Sequence, residues 1–253
     1  MWTRIRNKGT GVDKLERNTE KFEKALSQLD IQLSDEQIHQ FMVYYEMLVE
    51  TNKVMNLTAI TEFDEVIEKH FVDSLSLIKA VDLTQPKKII DVGTGAGFPG
   101  IPLKIAFPEL EIVLLDSLNK RIHFLNQVIE TLKLDKIRTI HGRAEDFGRN
   151  PQYREQFDLC VSRAVANLST LAEYCVPFIR IGSQFIPYKS GKVREEMENA
   201  RRAVDLLGTQ IVKCLNYSLP DTDMERSLVI IEKVKATKKA YPRKAGKPSR
   251  EPL

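Results

Sequence analysis

Ile89-Ile90-Asp91-Val92-Gly93-Thr94-Gly95-Ala96-Gly97-Phe98-Pro99-Gly100 is an apolar run, an acid and then four glycines within eight residues. It reads as a strand entering a glycine-rich turn, where main chain can approach a ligand closely. Gly95-Ala96-Gly97-Phe98-Pro99-Gly100 fits the G-x-G-x-x-G of dinucleotide-binding folds. In that version the helix opens inside the glycine motif and its N-terminus faces a pyrophosphate. Here Pro99 and Pro102 fall in that place. Proline is welcome only in a helix's first turn, because further in it lacks the needed N–H and clashes. Both prolines fit a helix that starts near Gly100 or Ile101, which leaves Gly93–Pro99 as a loop longer than the dinucleotide turn. Asp91 closes the strand, and a carboxylate aimed into that loop suits a cationic ligand group better than a pyrophosphate.

S-adenosyl-L-methionine meets those demands, with an amino group, a sulfonium and no phosphate. Rossmann-like methyltransferases carry acid-x-Gly-x-Gly-x-Gly at this point. A nicotinamide dinucleotide is the alternative, and a merely tight turn the third reading. The expected donor-site residues are Gly93, Gly95, Gly97, Phe98, Asp116, Ala144, Glu145 and Arg163. Asp116 ends the next strand, where a carboxylate can take ribose hydroxyls in either cofactor class. In Gly142-Arg143-Ala144-Glu145-Asp146 the polar groups can bond the adenine amine, with Ala144 leaving room for the ring. Glu145 and Asp146 could equally just open a helical turn.

Outward from the loop, short apolar runs alternate with helical stretches. Strands are expected at 88–92, 112–115, 137–141, 159–162, 184–188, 211–215 and 227–233, with helices at 102–107, 120–132, 168–179 and 193–207. That alternation predicts an α/β fold, a Rossmann-like class I methyltransferase with a seven-stranded, mostly parallel sheet and helices on both faces. The last two strands lack a helix between them and should pair antiparallel at one edge. Before the sheet, amphipathic patterns predict a small helical N-terminal unit over 15–83. Leu15, Phe22, Leu26 and Leu29 share one face, Ser34-Asp35-Glu36-Gln37 forms a capping box, and Ile38, Phe41, Met42, Tyr45, Leu48 and Val49 recur at helical spacing. Thr61-Glu62-Phe63-Asp64 reads as another start, followed by Val66, Ile67, His70, Phe71, Ser74, Leu75 and Ile78 on one side, with 52–60 as connector. The expected division is 1–14 loose extension, 15–83 helical unit, 84–233 donor-binding domain and 234–253 basic tail, mobile unless a partner orders it.

The composition, 42% hydrophobic and 29% charged, is that of a globular chain. No apolar run of membrane-span length exists and the start has no apolar signal core, so no membrane partner is expected. Cys160, Cys175 and Cys214 form no C-x-x-C pair, which fits a reducing cytoplasm and gives no metal site. Net charge is +3, unevenly spread. Residues 233–253 carry eight Lys/Arg against Glu251 alone, while residues 1–232 hold 30 basic and 34 acidic side chains. A mildly acidic body therefore ends in a basic arm, suited to phosphate or simply to solubility.

Ligands sit beyond the carboxyl ends of strands in open α/β sheets. Arg121, Arg143 and Arg163 follow strands two, three and four, and Lys189 follows strand five. Lys120 and Arg121 stand in the first turn of a helix, against its macrodipole, which suggests a functional reason. Each alone reads as a solvated charge; together with the tail they predict an electropositive rim for RNA, the substrate-binding set being Arg121, Arg143, Arg163 and Lys189. After strand four, Asp158–Ala166 carries neither the N-P-P-Y type signature of exocyclic-amine methylation nor a cysteine motif for a pyrimidine adduct. Cys160 reads as a buried strand residue and His70 as a packing histidine.

The chain resembles the glucose-inhibited division protein B family, also called ribosomal RNA small subunit methyltransferase G. The matching pieces are Met55-Asn56-Leu57-Thr58-Ala59-Ile60-Thr61, Lys69-His70-Phe71-Val72-Asp73-Ser74, the 91–100 loop, Asp116-Ser117-Leu118-Asn119-Lys120-Arg121, Arg143-Ala144-Glu145, Ser162-Arg163-Ala164-Val165-Ala166 and Tyr241-Pro242-Arg243-Lys244-Ala245-Gly246-Lys247-Pro248. The resemblance runs from about Leu15 to the end, and the combination is specific where single pieces are not. It implies a cytoplasmic, monomeric enzyme that uses S-adenosyl-L-methionine to methylate N7 of a guanine in the 530 loop of 16S ribosomal RNA, free or in the small subunit or its precursor. It carries a donor site over onto Gly93, Phe98, Ala144, Glu145 and Arg163. Thr51 and Ala245 depart from the family's usual Trp and Pro, outside the donor motifs.

N7 of guanine has a free lone pair and loses no proton on methylation. No catalytic acid or base is therefore expected, only alignment of the reacting atoms. Arg163 is the residue expected to face both donor and RNA, its loss abolishing transfer without unfolding the chain. Phe98 is expected either against the donor or base or as a loop anchor. A nicotinamide oxidoreductase, a non-catalytic RNA binder and a small-molecule methyltransferase remain as competing classes.

Overall fold

The computed structural model describes residues 19–164, 166–191 and 193–253. Leu15 and the 1–14 extension lie outside them.

Seven strands form one sheet in the order β3-β2-β1-β4-β5-β7-β6. They are β1 (Lys88–Val92), β2 (Glu111–Asp116), β3 (Ile137–His141), β4 (Phe157–Ser162), β5 (Ile179–Ser190), β6 (Thr209–Ser218) and β7 (Glu225–Lys233). β1 pairs in parallel with both β2 and β4, so the strand order reverses at β1, the point where such sheets hold ligands. β7 is antiparallel to β5 and to β6, which places the antiparallel pair at one edge as expected.

Both faces of the sheet are covered, which explains the continuous apolar runs of the central strands. Alternation along the strands sorts residues into two cores. Ile89, Ile112, Leu114, Leu159 and Val161 face the N-terminal helices, α5 (Gly100–Ala106) and α6 (Asn119–Thr131). Ile90, Val92, Val113, Leu115 and Cys160 face α8 (Leu168–Cys175) and α9 (Arg194–Leu206). Cys160 is fully buried.

The N-terminal helices share the first core. Phe22 of α1 (Glu20–Gln28), Phe41 and Tyr44 of α2 (Asp35–Met55), and Phe71 pack into the same cluster as Phe98, Ile101 and Leu125. The capping box is formed: Gln37 N–H donates to Ser34 Oγ and Ser34 N–H to Gln37 Oε1. The connector starts later than the sequence predicts. α2 runs on to Met55 and stops where Asn56 turns left-handed, with Asn52 Oδ1 accepting from the Leu57 and Thr58 N–H groups. The following helix is also not the single α-helix that its apolar spacing suggests. It opens at Phe63 without a side-chain cap as α3 (Phe63–Val66), widens into a π segment (Ile67–Val72), and continues as α4 (Asp73–Leu75) and a 3-10 turn (Ser76–Lys79).

Further features differ from expectation. α8 ends at Cys175, because Pro177 sits in a 3-10 turn (Val176–Phe178) that cannot continue the helix. Ile179 therefore opens β5, which is twelve residues long. The tail is not a loose arm in this structure. Arg154 donates to the carbonyls of Thr237 and Tyr241, Arg149 to that of Pro242, and the chain ends with α10 (Lys247–Arg250) against α8.

Candidate active site

The loop after β1 is tied at both ends. Gly93 N–H and Thr94 N–H donate to Leu115 O, and α5 starts at Gly100, as the prolines require. Gly93, Gly95 and Gly97 all have positive φ. Their surroundings differ. A Cβ on Gly97 would meet Ile101 Cγ1 at 2.6 Å and Tyr44 Oη at 2.8 Å, whereas a Cβ on Gly95 would meet nothing within 4 Å. The loop thus packs its far end into the core and leaves Gly95 lining open space.

Asp91 lies beneath this loop, fully buried. Its Oδ2 accepts from Thr94 Oγ1 at 2.7 Å and from Gly100 N–H at 2.9 Å. Its Oδ1 has no hydrogen-bond partner among the described residues. Burial pushes the carboxyl up to about 7, against the two hydrogen bonds and the Arg163 charge, which favour the anion. A buried oxygen without a donor costs free energy, and a cationic ligand group would relieve that cost while a phosphate would add to it.

Phe98 is buried and anchors the loop. Its ring stacks on His70 at 4.5 Å and tilts against Tyr44 at 5.4 Å, while the Arg163 guanidinium covers it at 5.0 Å. Tyr44 Oη donates to Ala96 O at 2.5 Å, so α2 holds the loop by both ring and hydroxyl. These contacts make Phe98 an anchor of the loop.

Arg163 is mostly enclosed, its side chain 17% exposed. It donates to Lys69 O and Asp73 Oδ2, both at 3.0 Å, and contacts His70 Nδ1 at 3.2 Å. Nδ1 also lies 3.1 Å from Lys69 O, and Nε2 lies 2.8 Å from Thr58 Oγ1, so both ring nitrogens have polar neighbours. Burial, helped by the Arg163 charge, pushes His70 down to about 3. Asp73 is buried and shared, with Oδ1 accepting from Arg226 Nε at 3.1 Å. The π segment brings this about, since Lys69 and His70 both lie within it.

The remaining expected residues distribute as follows. Asp116 is buried at the end of β2, and its carboxylate accepts from Gly95 N–H, Leu118 N–H and, at 3.3 Å, Arg121. Glu145 is buried on α7 (Ala144–Phe147), beside half-buried Ala144 and exposed Arg143. Lys189 does not join the rim. Its side chain is 9% exposed, and its ammonium donates to Ala166 O and Glu196, both at 2.6 Å. Glu196 lies on α9, so Lys189 braces the chain that follows Arg163 rather than presenting charge to solvent.

Sequence reading had no hold on Tyr44, Arg226 or Gly246 as parts of this region. Asp73 did leave a signal, an acid among the apolar positions of Lys69–Ile78, because a buried carboxylate demands a partner.

A family model described as rRNA small subunit methyltransferase G matches residues 37–225. The curated "Ribosomal RNA small subunit methyltransferase G" of Lachnoclostridium phytofermentans is 54% identical over 237 residues, 94% of this chain and 98% of the relative. Its counterpart from Alkaliphilus oremlandii is 50% identical over 225 residues, 89% and 94% of the two chains. Among solved structures, M. jannaschii TYW2 in complex with AdoMet aligns with a TM-score of 0.52 at 13% identity, over 70% of this chain and 80% of that one. A mutant of MtNAS aligns with a TM-score of 0.53 at 16% identity, over 85% and 82%. At such identities the structural likeness speaks for the fold.

Proposed function

Because the chain belongs to the rRNA small subunit methyltransferase G family, we propose that it transfers a methyl group from S-adenosylmethionine to N7 of a guanine in the 530 loop of 16S ribosomal RNA. The observation that carries the donor assignment is Asp91 Oδ1, unpartnered among the described residues, beneath a glycine loop whose middle member lines open space. That pairing suits a cationic amino acid moiety and opposes a dinucleotide's phosphates.

The residues fit the donor from end to end. The main chain of Gly93–Phe98 cradles its amino acid part. Asp116 accepts from the ribose, for which the long Arg121 contact is the weakest competitor. Ala144 and Glu145 receive the adenine. Once bound, the donor supplies an electrophilic methyl group on a sulfonium.

The chain's own task is alignment, worth several orders of magnitude when reacting atoms are held in line. No proton leaves N7, and His70 is unsuited to take one, being neutral with both ring nitrogens engaged. Arg163 is fixed by Lys69, Asp73 and His70 before any ligand arrives, so it can orient donor and base without losing side-chain freedom on binding. N7 faces the major groove, which in A-form RNA is too deep and narrow for side chains, so the target guanine must be in a loop or splayed out. Exposed Arg143, Lys244 and Lys247 flank the Glu145 side and suit the RNA backbone.

The test pairs labelled S-adenosylmethionine with small subunits lacking the modification and with naked 16S RNA, followed by borohydride–aniline cleavage. One cleavage in the 530 loop is the expected result, and the better substrate shows when the enzyme acts. No label in either RNA, with donor binding demonstrated, would overturn the ribosomal assignment and favour a small-molecule acceptor.

A further inference from the structure

The C-terminal tail converges on one point of the donor site. Arg243 is the anchor. Its main-chain N–H and its guanidinium together make four hydrogen bonds to Glu173 of α8, at 2.6 to 3.0 Å. Glu173 is fully buried, and no other hydrogen-bond donor reaches it among the described residues. Beyond Gly246, Thr170 Oγ1 donates to Pro248 O and closes the strap from the other side. Between these two attachments, Gly246 N–H donates to Glu145 Oε1 at 2.8 Å.

That contact is the only hydrogen bond made by the Glu145 carboxylate among the described residues. Glu145 stands on a single helical turn, α7, whose N-cap makes no side-chain hydrogen bond. Among the described residues, no hydrogen bond from its own turn holds its carboxylate. Its carboxylate is set from 101 residues away.

We propose that the strap Arg243–Gly246 is a working part of the donor site, in which the Arg243–Glu173 pair is a lock that, through Gly246, positions Glu145 for the adenine amine. Arg243 and Glu173 are then positioning residues; they touch no substrate and act through Glu145. The inference rests on the assignment of Glu145 to the adenine. It also accounts for a tail rich in lysine folding against the body: its lysines are exposed, while Arg243 and Gly246 turn inward onto two buried carboxylates.

The experiment uses full-length protein and S-adenosylhomocysteine as probe, so that neither RNA nor turnover enters. Calorimetry gives the Kd for the parent, for Glu145→Ala, for Glu173→Leu with Arg243→Met, and for the triple variant. Changing both members of the buried pair avoids stranding one charge. Glu145→Ala is expected to weaken binding about tenfold, and the lock variant by a similar factor. The triple variant is expected to bind no worse than Glu145→Ala, because residues acting through one another do not add. In turnover the lock variant's loss is expected in the KM for the donor.

An unchanged Kd in the lock variant, or losses that multiply in the triple variant, would overturn the proposal and leave the tail a purely structural strap. An unchanged Kd in Glu145→Ala would overturn both the proposal and the adenine assignment beneath it. Should the lock variant not fold, Gly246→Ala serves. Its Cβ would meet only the Arg250 guanidinium, at 3.9 Å, yet the φ of +78° strains the turn that aims the N–H. Its effect on Kd must vanish in the Glu145→Ala background, and persistence there would equally overturn the proposal.

Discussion

Gly95 and Gly97 stand two residues apart on one loop, and a methyl group added to each meets opposite surroundings. Both positions are left-handed, which costs a non-glycine residue about 1–2 kcal/mol. Gly95→Ala adds no clash, so its melting temperature should fall by only about 2–8 °C, while its methyl group projects into the space assigned to the donor. Donor affinity measured by calorimetry should fall well beyond what that stability loss explains. Gly97→Ala must displace Ile101, Tyr44 and Leu125 and should lose the larger share of stability, about 1–3 kcal/mol beyond the backbone strain. Equal melting temperatures for the two variants would contradict this division of the loop.

Asp91 belongs to the same scale. Its raised value near 7 means that the folded state prefers the neutral acid. Its contribution to stability is complete below the ordinary carboxylate range and is lost as pH rises through about 7. A cationic donor prefers the anion, so binding has the opposite sign. Donor affinity should climb between pH 6 and pH 8, and proton release should accompany binding at the lower pH. Asp91→Asn should flatten that profile, and a profile unchanged by the substitution would remove Asp91 from the site. Arg163 carries a second expectation. Because it neutralises buried Asp73 together with Arg226, Arg163→Ala should cost stability as well as transfer, contrary to the expectation of an untouched fold.

At the scale of elements, two helical segments that precede the sheet pack against the glycine loop and Arg163. Helix α2 contributes Tyr44, and the π segment contributes Lys69 and His70. Tyr44→Phe keeps the ring packing but strips the Ala96 carbonyl of its donor, at a cost of about 1–3 kcal/mol for a buried group. It should loosen the glycine loop and weaken the donor. Ser34→Ala is the control on the same helix. Losing the capping box costs about 1 kcal/mol, or about 2–4 °C in melting temperature, with donor affinity unchanged because the cap lies at the opposite end of α2 from the connector. If both variants weaken the donor equally, Tyr44 acts through helix stability and not through the loop.

At the scale of the molecule, an acidic body carries a basic tail whose Lys244 and Lys247 are exposed beside Glu145. RNA binding by such a face should weaken linearly in log affinity against log salt. Lys244→Ala with Lys247→Ala should lower that slope by about 0.7–0.9 for each phosphate that the two lysines neutralise. An unchanged slope would place the RNA elsewhere. Among the described residues no helix is long and apolar enough to cross a membrane.

The sequence by itself determined the alternation of strands and helices, the seven-stranded sheet with its antiparallel edge, the start of α5 and the acid-and-glycine loop. All of these follow from local rules: side-chain period, proline's missing N–H, glycine's tolerance of positive φ, and a carboxylate at a strand end. What the tertiary structure alone decided is which charges find one another. Arg163, Asp73 and Arg226 meet across 153 residues, Glu145 is held by Gly246, and Lys189 is turned inward onto Glu196. The π segment over Ile67–Val72 likewise stands where apolar spacing alone suggests a plain α-helix. Buried charges must be paired, but the partner's position along the chain is free, so the pattern announces the need and only the folded core supplies the answer.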